Sequence, residues 1–427
     1  MRRLLQALSV LALLLVATAA LVWWLNVRGE PDLAAASPDL PATPAQVARG
    51  AYLAKAGNCA ACHTSRGGAE YAGGTAIPTP FGTVYGSNLT PDPTHGLGAW
   101  NATTFWRALH HGRSRDGRLL VPAFPYTSFT EVTRADSDAL FAYLRSLPAV
   151  AEPNRAHELR WPYNQQAALA VWRALYFRPG EYQNDPAQTA EWNRGAYLVR
   201  GLGHCVACHT TRNAWGASDE RLPLSGGLIP IQNWYAPSLT AAHEASVADW
   251  PRADVVALLQ TGVSARGWVT GPMAEVVLRS TQHLTPTDLD AMAHFLQALP
   301  QRPTPAPPAR VAPTKDVATL GQQLYENQCA QCHGAQGEGA GGVYPPLAGS
   351  RGVTMDATAN LVQVVLHGGF APATAGNPRP YGMPPFVLAL SDREIAAVLT
   401  YVRGAWGNSA SAVSEFDVNR LRTSTQR

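Results

Sequence analysis

Cys59-Ala60-Ala61-Cys62-His63, Cys205-Val206-Ala207-Cys208-His209 and Cys329-Ala330-Gln331-Cys332-His333 take up all six cysteines of the 427-residue chain. Two thiols three positions apart on a helical turn can reach the two vinyl groups of one haem, and the histidine that follows then falls beneath the iron as proximal ligand. Each motif offers only three metal ligands, and no fourth Cys or His recurs at a fixed offset, so a zinc knuckle lacks its tetrahedral set. A disulfide framework would not require a histidine after every second cysteine. The pattern predicts three covalently bound haem c groups. Cys59, Cys62, Cys205, Cys208, Cys329 and Cys332 are the attachment points, and His63, His209 and His333 are the iron ligands.

The repeat extends outward from the motifs. A helix-compatible segment with a glycine and an aromatic precedes each one: Arg49-Gly50-Ala51-Tyr52-Leu53, Arg194-Gly195-Ala196-Tyr197-Leu198, and Gly321 with Leu324-Tyr325. A closing helix follows each one. It starts on Thr133-x-x-Asp136, Thr285-x-x-Asp288 or Ser391-x-x-Glu394, where hydroxyl and carboxylate can satisfy the first-turn amides as a capping box. Its body reads Ala139-Leu140-Phe141, Ala291-Met292-Ala293 or Ala397-Val398-Leu399. A middle helix ends at Gly112, Gly262 or Gly368, a residue type suited to a left-handed cap. The expected fold is mainly α, with three tandem class-I-like cytochrome c domains after an N-terminal membrane anchor. The expected boundaries are an anchor at 1–28, a tether at 29–45 and a first domain at 46–150. A connector at 151–190, rich in Trp, Tyr and Pro and packed between units, leads to a second domain at 191–300. A Pro-rich linker at 301–314 precedes a third domain at 315–408 and a C-terminal tail at 409–427.

A thioether opposite the histidine favours reduced iron and suits reversible electron transfer, so the five methionines matter. Met383, in Tyr381-Gly382-Met383-Pro384-Pro385, and Met273, in Gly271-Pro272-Met273, are the expected sixth ligands of the third and second haems. Met292 falls on a core position of the closing helix, and Met355 precedes the middle helix. In the first unit the corresponding loop reads Val121-Pro122-Ala123-Phe124-Pro125-Tyr126 and has no methionine. His95, His110 and His111 are the alternatives there, and a five-coordinate iron is the other outcome. His111 aligns with His367, and both suit a helix C-terminus, where the dipole favours a cationic ring. A ligating histidine donates its second ring N–H to a fixed acceptor. Tyr344-Pro345-Pro346 in the third unit, Ala236-Pro237-Ser238 in the second and Gly86-Ser87-Asn88 in the first are the segments placed to accept it.

Residues 1–30 open with Arg2 and Arg3 and run apolar from Leu4 to Val27, interrupted only by Gln6, Ser9, Thr18 and Asn26. Ala17-Thr18-Ala19 offers a small-residue cleavage site, but the apolar run continues through Leu21-Val22-Trp23-Trp24-Leu25, which favours an uncleaved anchor. The Arg pair keeps the N-terminus cytoplasmic, so the haem domains are expected in the periplasm, tethered to the inner membrane. Charged residues make up 15% of the chain and the net charge is +3. That leaves no basic surface for nucleic acid.

With these motifs assembled, the chain resembles the membrane-bound triheme cytochrome c subunits of periplasmic alcohol, gluconate or aldehyde dehydrogenase complexes. The resemblance runs from about Val47 to Arg422. It is carried by Thr79-Pro80-Phe81-Gly82-Thr83-Val84-Tyr85, Trp234-Tyr235-Ala236-Pro237-Ser238-Leu239 and Gly271-Pro272-Met273-Ala274-Glu275. It implies a wire with no catalytic residues of its own. Electrons would come from a separate catalytic subunit bearing pyrroloquinoline quinone, flavin or molybdenum and pass to ubiquinone or an oxidase. Phe124 is the departure, because alcohol dehydrogenase members carry Met in that loop; the Phe form is similar to relatives serving molybdenum hydroxylases of aldehydes or N-heterocycles. Two other functions fit the same motifs: a free-standing carrier between quinol and oxidase, and a haem enzyme using the Met-free first haem.

Overall fold

The computed structural model describes residues 1–30, 33, 41–303 and 312–424. Most of the predicted tether and the centre of the Pro-rich linker lie outside the described residues. The chain divides into two compact units, Met1–Ala54 with Cys59–Gln183, and Lys55–Asn58 with Asn184–Arg427. The second and third expected domains therefore share one unit.

In the first unit, α1 (Arg2–Val27) is the one helix among the described residues that is long and apolar enough to cross a membrane. After it come α2 (Pro44–Ala56) and the short turn α3 (Cys59–His63). Strands β1 (Ala76–Thr79) and β2 (Gly82–Tyr85) pair antiparallel with Ala76 opposite Tyr85. Helix α4 (Ala102–His111) starts on a reciprocal Asn101–Thr104 capping box and ends on Gly112 at φ 55°. The single turn α5 (Tyr126–Phe129) leads to the closing helix α6 (Arg134–Ser146). The connector, expected to pack between units, belongs to this one as far as Gln183: β3 (Glu158–Leu159) adds to β2, and α7 (Gln166–Tyr176) packs on α1.

The second unit starts with α8 (Ala190–Ala196), which widens into a π-helix over Tyr197–Leu202 before α9 (Val206–His209). Strands β4 (Gly227–Ile229) and β5 (Trp234–Ala236) form a hairpin. Then follow α10 (Arg252–Thr261), α11 (Pro272–Arg279) and the closing helix α12 (Pro286–Gln297). Its C-terminal half holds α13 (Lys315–Gln328), α14 (Ala330–His333), α15 (Arg351–Thr354) and α16 (Ala359–His367). The two-residue strands β6 (Gly369–Phe370) and β7 (Gly382–Met383) pair before the closing helix α17 (Asp392–Gly404). The expected C-terminal tail instead carries α18 (Glu415–Ser424), whose Val418 and Leu421 join the core of Tyr325, Val362, Leu366, Ile395 and Val402. Within this unit Tyr235 and Asn360 exchange two 2.7 Å hydrogen bonds between backbone and carboxamide. Arg351 reaches Asp249 at 2.7 Å.

One crossing recurs three times. A Cβ on Gly50, Gly195 or Gly321 would overlap the carbonyl oxygen of Ala139, Ala291 or Ala397. It would also stand 2.7, 2.8 or 2.9 Å from the Cβ of Tyr143, Phe295 or Tyr401. The helix that leads to each Cys pair thus meets the closing helix backbone against backbone, which only glycine permits. The starts of the closing helices differ. Ser391 and Glu394 complete the reciprocal box, whereas the carboxylates of Asp136 and Asp288 reach Arg49 and Arg194, each the neighbour of the crossing glycine.

Candidate haem-binding sites

The three His residues end short helical turns and are fixed alike. His63 Nδ1 lies 2.6 Å from Ser87 O, His209 Nδ1 2.7 Å from Pro237 O, and His333 Nδ1 3.0 Å from Pro345 O. Each Nδ1–H donates to a backbone carbonyl, which leaves the lone pair on Nε2 for a metal. The three segments named from the sequence are the ones that supply the acceptor. Ser87 does so without a proline, so the carbonyl's position and not the ring is what the contact needs. Burial holds all three imidazoles below the ordinary histidine range, in the neutral form that can ligate.

The paired thiols sit at the same turns, and none of the six is in a disulfide. Burial, helped by the neighbouring cysteine, pushes Cys59 and Cys205 up to about 12 and Cys329 up to about 11. They are uncharged thiols, unlike the thiolates of a zinc or redox site, and suit addition across a vinyl group. Among the described residues no group of three or more His, Cys, Asp and Glu gathers as a metal cage.

The third site is the most completely built. One cavity is lined by Cys329, Cys332 and His333 together with Tyr344, Met383 and Phe386. Met383 is placed there by the β6–β7 pair, opposite Gly369. Gly368, at φ 65° and ψ −155°, turns the chain where a Cβ would overlap Met383 O. This is a glycine-only conformation and not the left-handed cap expected, which Gly112 and Gly262 do adopt. Two thiols, an imidazole nitrogen, a thioether and a largely apolar lining in one cavity fit a c-type haem.

Trp268–Gly271 of the preceding module also line this cavity, a wall the sequence reading missed although it runs directly into Met273. Met273 stands in the first turn of α11. The α11 N-cap, Gly271, is pressed on the Trp234 ring, and Trp234 begins the strand that leads to Pro237. The structure thus ties the Met273 turn to the strand that carries the acceptor for His209. Met292 and Met355 are both core residues, 4% and 6% exposed.

The first module differs in the segment that corresponds to the Met383 loop. Phe124 packs 5.4 Å from the Phe129 ring and 6.5 Å from Tyr126. His110 stacks on Trp106 at 4.3 Å and meets His111 edge-on at 4.7 Å. His111 is not the cationic cap expected: burial, with His110, Arg173, Arg113 and Arg107 around it, pushes it down to about 3. His95 sits in a turn whose backbone N–H donates to Asp92 at 2.6 Å.

A cytochrome c family model matches residues 47–148 and 318–406. The quinone alcohol dehydrogenase cytochrome c subunit of Komagataeibacter europaeus is 38% identical over 91% of this chain and 86% of its own length. The gluconate 2-dehydrogenase cytochrome c subunit of Pantoea cypripedii is 36% identical over 93% of both. A nicotinate dehydrogenase subunit of Pseudomonas putida is 42% identical over 88% of this chain, which spans about a third, 32%, of that longer protein.

Proposed function

Because the chain belongs to the family of cytochrome c subunits of alcohol, gluconate and fructose dehydrogenases, we propose that it is a triheme electron relay. It takes electrons from a catalytic dehydrogenase subunit and delivers them to ubiquinone or a terminal oxidase. α1 holds it to the inner membrane, with three tandem cytochrome c domains in the periplasm. Haem c, when bound, supplies the one-electron iron couple.

The chain's own residues bind, orient and shield. Cys59, Cys62, Cys205, Cys208, Cys329 and Cys332 fix the three groups covalently. The carbonyls of Ser87, Pro237 and Pro345 hold His63, His209 and His333 in the ligating tautomer. Met273 and Met383 supply thioethers to the second and third, which raises their potentials relative to the first. The observation that carries this reading is the third cavity, where Cys329, Cys332, His333 and Met383 line one space.

Purification of the chain alone should give three haems per polypeptide by mass and haem stain, three reducible equivalents and no dehydrogenase turnover. Substantial turnover by the chain alone would overturn the relay reading. Phe124, together with the 42% identity to the nicotinate dehydrogenase relative, favours a donor acting on N-heterocycles or aldehydes over one acting on primary alcohols. Reduction of the purified cytochrome by each class of catalytic subunit separates the two.

A further inference from the structure

Helix α7 has two apolar sides. One side, Leu169, Arg173 and Ala174, is buried in the first unit, and Phe177 continues that side just beyond the helix end. The opposite side shows solvent Ala167, Val171 and Leu175, the last two 49% and 61% exposed, flanked by half-covered Ala168 and Trp172. These positions recur at i, i+4 and i+8, so they form one stripe, and no polar or charged residue interrupts it. A helix face turned to water normally carries polar side chains. This one carries none.

The anchor ends on the same helix. From Leu4 to Leu25 the apolar run of α1 rises about 33 Å at 1.5 Å per residue, close to the roughly 30 Å of a bilayer core. Asn26 follows at once, 6% exposed and fully engaged. Its Nδ2 donates to Ala170 O of α7 at 2.9 Å, and its Oδ1 accepts from Arg173 Nε of α7 at 2.8 Å. Asn26 O accepts from Arg113 Nη2 at 3.1 Å, and Glu30 pairs with Arg113 at 2.5 Å. Trp23 and Trp24, both exposed, and Arg28 stacked on Trp24 at 5.5 Å mark the same level. A helix hydrogen-bonded to the residue that ends a membrane span lies within a few ångströms of the headgroups.

We propose that α7 is a second, interfacial membrane contact, with Ala167, Val171 and Leu175 seated in the headgroup and acyl boundary. The first unit, and with it the His63 crevice, is thereby held at a fixed attitude against the bilayer instead of swinging on a tether. An apolar stripe on an in-plane helix is the form such contacts take. The inference rests on α1 being a membrane span.

The test uses the full-length holoprotein in phosphatidylethanolamine and phosphatidylglycerol vesicles. With the six native cysteines bonded to haem, Val171→Cys, Leu175→Cys or Val16→Cys each adds one thiol for a spin label. The readout is the oxygen-to-nickel-chelate accessibility ratio by power saturation. Labels at 171 and 175 should read several-fold above free label in buffer and below the label at 16. A label at 16 that reads as lipid while those at 171 and 175 read as water overturns the proposal and leaves the anchor standing. An aqueous reading at 16 overturns both. Protection at 171 that develops only when the catalytic subunit is added assigns the stripe to a protein partner and also overturns it.

Discussion

The first and third modules anchor their histidines alike and part company in the loop after the middle helix. In both, the imidazole donates to a backbone carbonyl from the loop after the motif, Ser87 in one and Pro345 in the other. In both, a glycine of the leading helix lies on an alanine carbonyl of the closing helix. In the loop after the middle helix the third has Met383 on a two-residue strand, whereas the first has Phe124 within a cluster of Phe129 and Tyr126. On the proposed reading, the repeated fold would hold the haem and leave the sixth ligand to a loop, so one side chain would tune the potential without rebuilding the cradle.

The harshest way to break the comparison is to remove attachment. Cys332→Ala and Cys62→Ala should each lower the haem count by one and leave the other two, as mass and haem-stained gels will show. Loss of all three on either change would mean the units do not fold independently of their haems.

Crowding the shared crossing comes next. Gly50→Ala and Gly321→Ala push a methyl into the Ala139 and Ala397 carbonyls, and each should cost about 3 kcal/mol or more in stability. Equal losses by denaturant unfolding would sharpen the equivalence, and a neutral effect at either site would break it.

Exchanging the loop residues is subtler. Met383→Ala should lower the third haem's potential and Phe124→Met should raise the first's. Each shift should be on the order of 0.1 V within the roughly 0.8 V span that axial ligands cover. A spectroelectrochemical titration unmoved by Phe124→Met would show that the 121–126 loop cannot present a ligand.

The smallest effect is a pH slope. His111 titrates in the folded protein at about 3, below its unfolded value of about 6.5. Between these the unfolded chain holds the extra proton, so the first unit loses stability as pH falls through that window, by about 1–2 kcal/mol from pH 7 to pH 5. His111→Gln should flatten this slope in hydrogen exchange of α4 amides. His367→Gln, at the exposed counterpart, should have less effect on exchange of α16 amides.

The local patterns were legible because their causes are local. The glycine before each motif, the closing-helix starts and the carbonyl-bearing loops all stand at fixed offsets, and the structure uses them there. The connector was not legible, because its placement depends on pairings made far along the chain. β3 joins β2 across more than 70 residues, and Asn26 meets Arg173 across 147. His111 was misread for a related reason: its helix-end position suggested a cation, but the arginines that keep it neutral include Arg173 of α7. The diversion of Asp136 and Asp288 toward Arg49 and Arg194 likewise required knowing which helices touch.

The glycine crossings also bear on speed. Where Gly50, Gly195 and Gly321 lie on the carbonyls of Ala139, Ala291 and Ala397, no side chain stands between the helices, so no rotamer is free to yield. Such a joint behaves as a stiff bearing in an already incompressible interior. The helix that delivers the thiols and the helix that backs the crevice then move as one body. With haem bound, few soft modes around it would respond to a change of charge at the iron, and the rearrangement accompanying electron transfer would stay small.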